Sequence, residues 1–572
     1  MPTFKSRCPD IILPQKLAVW DWLFDSAFSP LARHDEHELR GYLNAVTNER
    51  LNWREVKEYS TYVSTALVRK YGLKEGETVS LFSQNSIWYP VVMLGCLRAG
   101  AKVSGASPAY NVEEMAYAMR TADSKFLFTA PASMEVATGA ADQSGLPRTN
   151  LFLLEGQMEG YSTVHDLIAT GKSYGESGQI PSYKIPLGRK NKDVCGYLSF
   201  SSGTTGLPKA VMISHQNVIA QCMQIQQCTP PDSTHILAVL PLFHITGLVH
   251  QLHLPILLNV EVVMTPTFTM PLMLEVIQKY KLKELLLVPP LLIRLVRDAI
   301  VDEYDTSSIL RFSSGAAPLS QEVIDLMAKK FPQTAVGKPY GQTGLKQGYG
   351  MTESCSCITA FPLHRVEGYK LGNAVGEIVA NTEVKVIKED GTEGDVGESG
   401  EIIARGPQIT MGYLGNDKAT RETYDADGFL HTGDQGTIDE DGIIHILDRI
   451  KEMIKVKGIQ VAPAELEDLL LGHPAVEDCA VLGLPDDYSG EIPKAFIVVK
   501  PGVDKTHSIG KDLIAHVKEK KTRYKWIKEV ELVDEIPKSP SGKILRRVLR
   551  DRANQAEKGV IVRDGVGEKA ML

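Results

Sequence analysis

Residues 77–129 read ETVSLFSQNSIWYPVVMLGCLRAGAKVSGASPAYNVEEMAYAMRTADSKFLFT, and two periodicities alternate along them. Glu77 to Phe82 predicts a strand. Trp88 to Arg98 has helical spacing, and Gly100 stops it. Ala101 to Ser104 is short enough to be extended, Val112 to Thr121 is helical, and Lys125 to Thr129 predicts a second buried strand. Strand, helix and strand at this spacing predict parallel βαβ units, and with them an α/β fold. The same rhythm returns from Ile236 to Val296, without a repeat of fixed period.

After about Val375 the pattern changes. Glu383 to Ile387, Gly400 to Arg405, Gly436 to Ile438 and Ile443 to Leu447 are short alternating segments, and Asp390-Gly391 and Asp441-Gly442 are hairpin turn signals. That stretch predicts a β-rich lobe. From Lys451 the chain becomes more basic and mixed: Ala464 to Leu471 and Gly510 to Lys521 as helices, Val476 to Leu482 and Lys494 to Val499 as strands. A boundary is expected between Asp448 and Lys451, and the polar stretch after Gln555 is expected to fray.

The 572 residues are too many for one core, and 43% hydrophobic with 23% charged is an ordinary globular composition. No apolar run reaches membrane-spanning length; Leu285 to Ile293 is cut by Pro289 and Pro290 and ends at Arg294. Met1 to Gln15 has no continuous apolar core, so no secretory signal is expected. Sixty-two basic and seventy acidic residues leave a net charge of −8, which argues against a nucleic-acid partner. Eight scattered cysteines without a CxxC pair fit a reduced, intracellular protein and exclude paired zinc spacing.

Ser201-Ser202-Gly203-Thr204-Thr205-Gly206-Leu207-Pro208-Lys209 lies between two short apolar segments, Leu198 to Phe200 and Val211 to Ile213. Glycines let backbone N–H groups approach an anion, hydroxyls add donors and Lys209 adds charge. Pro208 and Ala210 exclude a Walker A loop. A polyphosphate cradle and a Ser/Thr/Gly-rich surface loop both fit these nine residues alone.

This loop resembles the signature of the adenylate-forming superfamily, which includes acyl-CoA synthetases, 4-coumarate–CoA ligases, beetle luciferases and peptide-synthetase adenylation domains. Further segments match in order: Gly315-Ala316-Ala317-Pro318-Leu319, Gln347-Gly348-Tyr349-Gly350-Met351-Thr352-Glu353, His431-Thr432-Gly433-Asp434, Asp448-Arg449-Ile450-Lys451-Glu452, Lys455-Val456-Lys457-Gly458 and Pro540-Ser541-Gly542-Lys543. The resemblance implies an α/β fold in two parts. A large N-terminal AMP-binding domain, 1–448, would hold α/β sub-lobes and the β-rich lobe. A small mobile α+β C-terminal domain, 449–555, and a flexible tail, 556–572, would follow.

The resemblance also implies roles. Ser201, Ser202, Gly203, Thr204, Thr205, Gly206 and Lys209 would hold ATP phosphates, with Gly315, Ala316, Ala317, Gln347, Gly348 and Tyr349 beside adenine and AMP. Glu353 would hold Mg²⁺, which takes hard oxygen ligands and commonly only one or two carboxylates; a Glu favouring a helix dipole fits equally. Thr352 would touch the α-phosphate. Asp434 would accept both ribose hydroxyls, against the commoner turn-capping aspartate, and Arg449 would touch the nucleotide. Lys451 would be the hinge, Lys455 would serve thioester formation, and Lys543 would enter the adenylation site. Val239 to Gly247 and Val288 to Leu292 are apolar, and with His244, Thr246, Ser314 and Gly315 they would line the acyl pocket. A lone histidine in such surroundings is more often a core residue.

The expected activity is thus ATP-dependent formation of acyl-AMP, then of the coenzyme A thioester. The alternatives are loading of a carrier protein, luciferase-like oxidation, and a nucleotide-binding scaffold without turnover. Plant 4-coumarate ligases tend to have tyrosine where Thr246 aligns, and residues 337–346 look longer than usual. The expected partners are a small carboxylic acid, ATP and CoA, in a monomer or weak homodimer. Cytosol is the expected location; Ala570-Met571-Leu572 only partly resembles a peroxisomal ending. Lysines between Lys518 and Lys528 could hold CoA phosphates or form a solvated helix face.

Overall fold

A computed structural model describes residues 3–201, 207–315, 319, 321–334, 336, 344–362, 373–457, 459–486, 489–539, 542–553 and 559–564. The stretch 77–129 folds as its pattern predicts. Strands Thr78–Phe82, Lys102–Ala106 and Ser124–Thr129 pair in parallel, and helices Trp88–Arg98 and Val112–Ala122 make the crossovers. All eleven residues of Trp88–Arg98 are buried. That helix is apolar all round and runs through the core rather than over it.

Leu151–Leu153 and Cys195–Ser201 extend this sheet in parallel, and Lys209–Ser214 closes it as an antiparallel edge. The last two strands end in register, Ser201 opposite Lys209, so they frame the two ends of the Ser/Thr/Gly loop. A second α/β lobe holds the parallel trio Glu284–Leu287, Arg311–Ser314 and Gly344–Gln347, beside a four-stranded sheet that includes Glu261–Met264. Residues 374–449 build most of an antiparallel eight-stranded sheet, and Phe4–Lys5 covers one of its edges. Gly391 and Gly442 take φ of +82° and +76°, as the two Asp-Gly turns require.

The large N-terminal domain is followed by a small C-terminal one. Its six strands include the long hairpin Val476–Asp486 with Gly490–Val499, covered by Pro463–Leu471 and His507–Lys520. Arg546 is fixed inside it by Glu467 at 2.5 Å. One expectation fails here. Val560–Arg563, within the stretch expected to be a flexible tail, forms an edge strand against Glu529–Leu532. Three consecutive branched residues, Val560, Ile561 and Val562, suit a strand, and the sheet offers them a free edge. Among the described residues no helix is long and apolar enough to cross a membrane.

Candidate active site

Strand Leu430–Ile438 pairs with Gly400–Arg405, but between Glu401–Gln435 and Ile403–His431 three residues oppose one. Thr432, Gly433 and Asp434 therefore bulge from the sheet, and Gly433 takes φ +70°, where glycine alone is unstrained. Thr432 anchors the bulge by donating to Ile402 O at 2.6 Å and accepting from Asp434 N–H at 3.1 Å. A bulge re-aims side chains, and here it brings Asp434 to Tyr349, whose hydroxyl donates to Oδ2 at 2.6 Å. Arg449 lies opposite Asp434 in the next strand, 3.5 Å away. Asp434 is 6% exposed. Burial lifts its carboxyl above the ordinary aspartate value, against the opposing pull of Arg449, Tyr349 and Lys543.

Lys543 reaches the same place from the other domain. Backbone hydrogen bonds tie Ser539 to Gly542 and Lys543: Ser539 N–H donates to Lys543 O and Gly542 N–H to Ser539 O, both at 2.8 Å. Gly542, at φ +81°, rests against Pro290, the second residue of the helix Pro289–Arg297 of the large domain. Burial and then Arg449 push the Lys543 ammonium down to about 8, while Asp434, Glu353 and Glu452 pull the other way. Lys543 in turn helps burial push His244 down to about 4, so that imidazole is neutral near pH 7.

Glu353 is 6% exposed, on the turn Thr352–Ser354. The Tyr413 hydroxyl donates to its Oε1 at 2.8 Å, and the Lys209 ammonium lies 4.7 Å over the Tyr413 ring. Oε2 has no protein partner among the described residues. Thr352 and His244 line one small cavity of about 30 Å³, with Phe243, Ile245, Gly105 and Tyr110. Thr246 N–H donates to His244 Nδ1 at 3.3 Å. Gly247–His253 then continues as a π-helix, a form that concentrates at functional sites. A Cβ on Gly247 would stand 2.2 Å from Pro241 O, so only glycine fits.

Two hydroxyls at this site, Ser201 Oγ and Ser314 Oγ, are buried without a hydrogen-bond partner among the described residues. Such orphans suit a polar ligand. Gly348 N–H donates to Ser314 O at 2.8 Å, and a Cβ on Gly315 would meet Gly348 O at 3.3 Å, so the two backbone segments pass close together here. Gln347 uses its amide on the backbone of Ala374 and Leu319.

Polar and charged side chains are also packed against one another beside these strands. Cys357 Sγ lies 3.9 Å from where a Gly348 Cβ would be. His250 contacts Ser356 Oγ at 3.0 Å and Cys357 Sγ at 3.9 Å. Ser313, next to Ser314, donates to Glu284 Oε1 at 2.7 Å, and Lys346 pairs with the same oxygen at 2.9 Å. A charge in a short strand reads as solvent-facing in sequence; only the fold shows these two neutralising each other inside.

Some expected residues lie elsewhere. Lys451 is exposed in the turn after Arg449, and Lys455 is exposed on strand Ile454–Val456. Ser202, Gly203, Thr204, Thr205, Gly206, Ala316, Ala317 and most of the 337–346 stretch lie outside the described residues. The basic run is not an open patch: Lys518 and Lys528 pair with Asp564, and Lys521 and Lys525 with Glu465. Tyr413 and Glu401 escaped the sequence reading, since a lone tyrosine or glutamate in a strand-rich stretch gives no local signal.

Comparison with known proteins agrees with this geometry. The AMP-binding enzyme family matches residues 32–414, and the AMP-binding enzyme C-terminal domain matches residues 465–543. The 4-coumarate–CoA ligase 5 of Oryza sativa subsp. japonica is 35% identical over 554 residues, 96% of each chain. The 4-coumarate–CoA ligase of Vanilla planifolia is 34% identical over 557 residues, again 96% of each. Among solved structures, the ATP-bound RpMatB-BxBclM chimera B1 has a TM-score of 0.81 at 25% identity, covering 95% of this chain and 99% of its own. With both parts of the fold matched in chain order and a third of the residues shared along nearly the whole length, the chain belongs to the AMP-binding enzyme family.

Proposed function

We propose that the protein is an ATP-dependent, AMP-forming acid–thiol ligase, which joins a carboxylic acid to AMP, releases pyrophosphate and passes the acyl group to coenzyme A. The observation that supports this most is Lys543 of the small domain standing within electrostatic reach of Asp434 and Glu353 of the large one, and of Arg449 at the boundary between them. The names of the rice and vanilla relatives support the second step, since both are CoA ligases. In this reading residues 1–448 bind ATP and acid, residues 449–555 move, and Lys451 is the joint. The exposed Lys455 then serves the thioester step in a second arrangement of the small domain.

A substrate carboxylate, with an ordinary pKa of about 4, is already ionised at neutral pH, so adenylation needs no general base. The obstacle is bringing one anion onto another. Lys543 and Lys209 offset that repulsion and the charge gathering on pyrophosphate, and they do so from fixed positions. Asp434 takes the ribose hydroxyls, Tyr349 and Arg449 hold Asp434, and Thr352 stands between the α-phosphate and His244. Neutral His244 adds no charge beside the acyl carbon. Glu353, largely buried and with Oε2 unpartnered among the described residues, is the carboxylate that would hold a divalent cation. Mg²⁺ held there would neutralise phosphate charge.

The test is a panel of aromatic and short- to medium-chain acids, each hydroxylated acid paired with its parent. It is scored by pyrophosphate release and thioester formation with ATP and Mg²⁺. Acid-dependent pyrophosphate is expected without CoA, and thioester only with it. Release that ignores the acid, or acyl transfer only to a carrier protein, would refute the assignment.

A further inference from the structure

The Thr432–Asp434 bulge costs the sheet its local hydrogen bonds, and one side chain replaces what is lost. Glu401, on the neighbouring strand, accepts the Gly433 N–H through Oε1 at 3.0 Å. Its other oxygen, Oε2, lies 3.0 Å from His431 Nδ1, and His431 Nε2 lies 3.8 Å from Asp425 Oδ2. The carboxylate thus stands where a ladder carbonyl would have been and is held from behind by an imidazole. Gly433 O, at the same bulge, accepts the Ile450 N–H at 2.9 Å, so the bulge also fixes the start of the interdomain segment.

We infer that Glu401 is a positioning residue for the nucleotide: through Gly433 it holds the bulge in the shape that presents Asp434, and His431 holds Glu401. This rests on the assignment of Asp434 to the ribose. None of the three groups need touch ATP. The first member of the His-Thr-Gly-Asp motif then acts on the last through a glutamate 30 residues upstream of His431.

A charge-assisted hydrogen bond of this kind is worth roughly ten- to a hundredfold in an equilibrium. Glu401→Ala is therefore expected to raise the KM for ATP about tenfold or more, with the KM for the acid changed less than about twofold. Glu401→Gln keeps an acceptor for Gly433 and is expected to stay within about threefold of the parent. Asp434→Ala, measured alongside, separates the two assignments. If Asp434→Ala raises the KM for ATP and Glu401→Ala does not, the positioning role is wrong while the ribose role stands. If Asp434→Ala has no effect, the ribose role falls and the positioning role with it. Equal rises in both KM values with a lowered Tm, and no rescue by Gln, would mark Glu401 as a stability residue and overturn the inference.

Discussion

Lys543→Ala is expected to slow adenylate formation by roughly two to three orders of magnitude, the usual cost of removing a preorganised charge from a site of developing negative charge. The acyl-transfer step should survive: a supplied acyl-adenylate and CoA should still give thioester at close to the parent rate. Acid-dependent pyrophosphate release reads the first step and thioester formation the second. The pH dependence follows from the same lysine. Burial and Arg449 lower its pKa to about 8, so the cation is present below that pH and is lost as pH rises through it. The kcat/KM for ATP, which reports the free enzyme, should therefore fall above about pH 8. Lys543→Arg should move that fall to higher pH, because guanidinium keeps its proton. An unchanged rate in the alanine variant would remove Lys543 from the adenylation site.

Much of this architecture was legible because its signals are local. The observed helix Trp88–Arg98 and strands Glu383–Ile387 and Gly400–Arg405 have the limits their patterns predict, since glycine or Asp-Gly turns punctuate them. The candidate anion-handling residues stand out for a different reason: each lies in a short motif whose glycines shape the backbone. What sequence could not show is which residue answers which. Tyr349 meets Asp434 across 85 positions, and Tyr413 meets Glu353 across 60. A tyrosine hydroxyl carries no mark of the carboxylate it will orient. The edge strand Val560–Arg563 was missed because its branched run is only three residues long and is stabilised by a sheet edge supplied elsewhere. Electrostatic pairing misleads in the same way. The lysines from Lys518 to Lys528 read as a free basic face until Glu465 and Asp564 are seen against them.

Gly542→Val should block the arrival of Lys543 without touching its charge. Two effects act. At φ +81° any side chain strains the backbone by about 1–2 kcal/mol. In addition, a Cβ would come 2.8 Å from Pro290 Cγ and 2.9 Å from Cδ. A proline ring at a helix start cannot swing aside as a lysine tip could, so the small domain must back away. Together these should lower adenylation about a hundredfold, near 3 kcal/mol, while transfer from a supplied acyl-adenylate changes by less than about twofold. The strain belongs to the turn itself, whereas the clash exists only when the turn is docked. Pro290→Ala relieves the clash but not the strain, so adding it to Gly542→Val should recover about tenfold of the lost adenylation, as a double-mutant cycle with Pro290→Ala alone as its control would resolve. If both half-reactions fall together, or Pro290→Ala recovers nothing, then Gly542 matters for folding of the turn and not for its entry into the site.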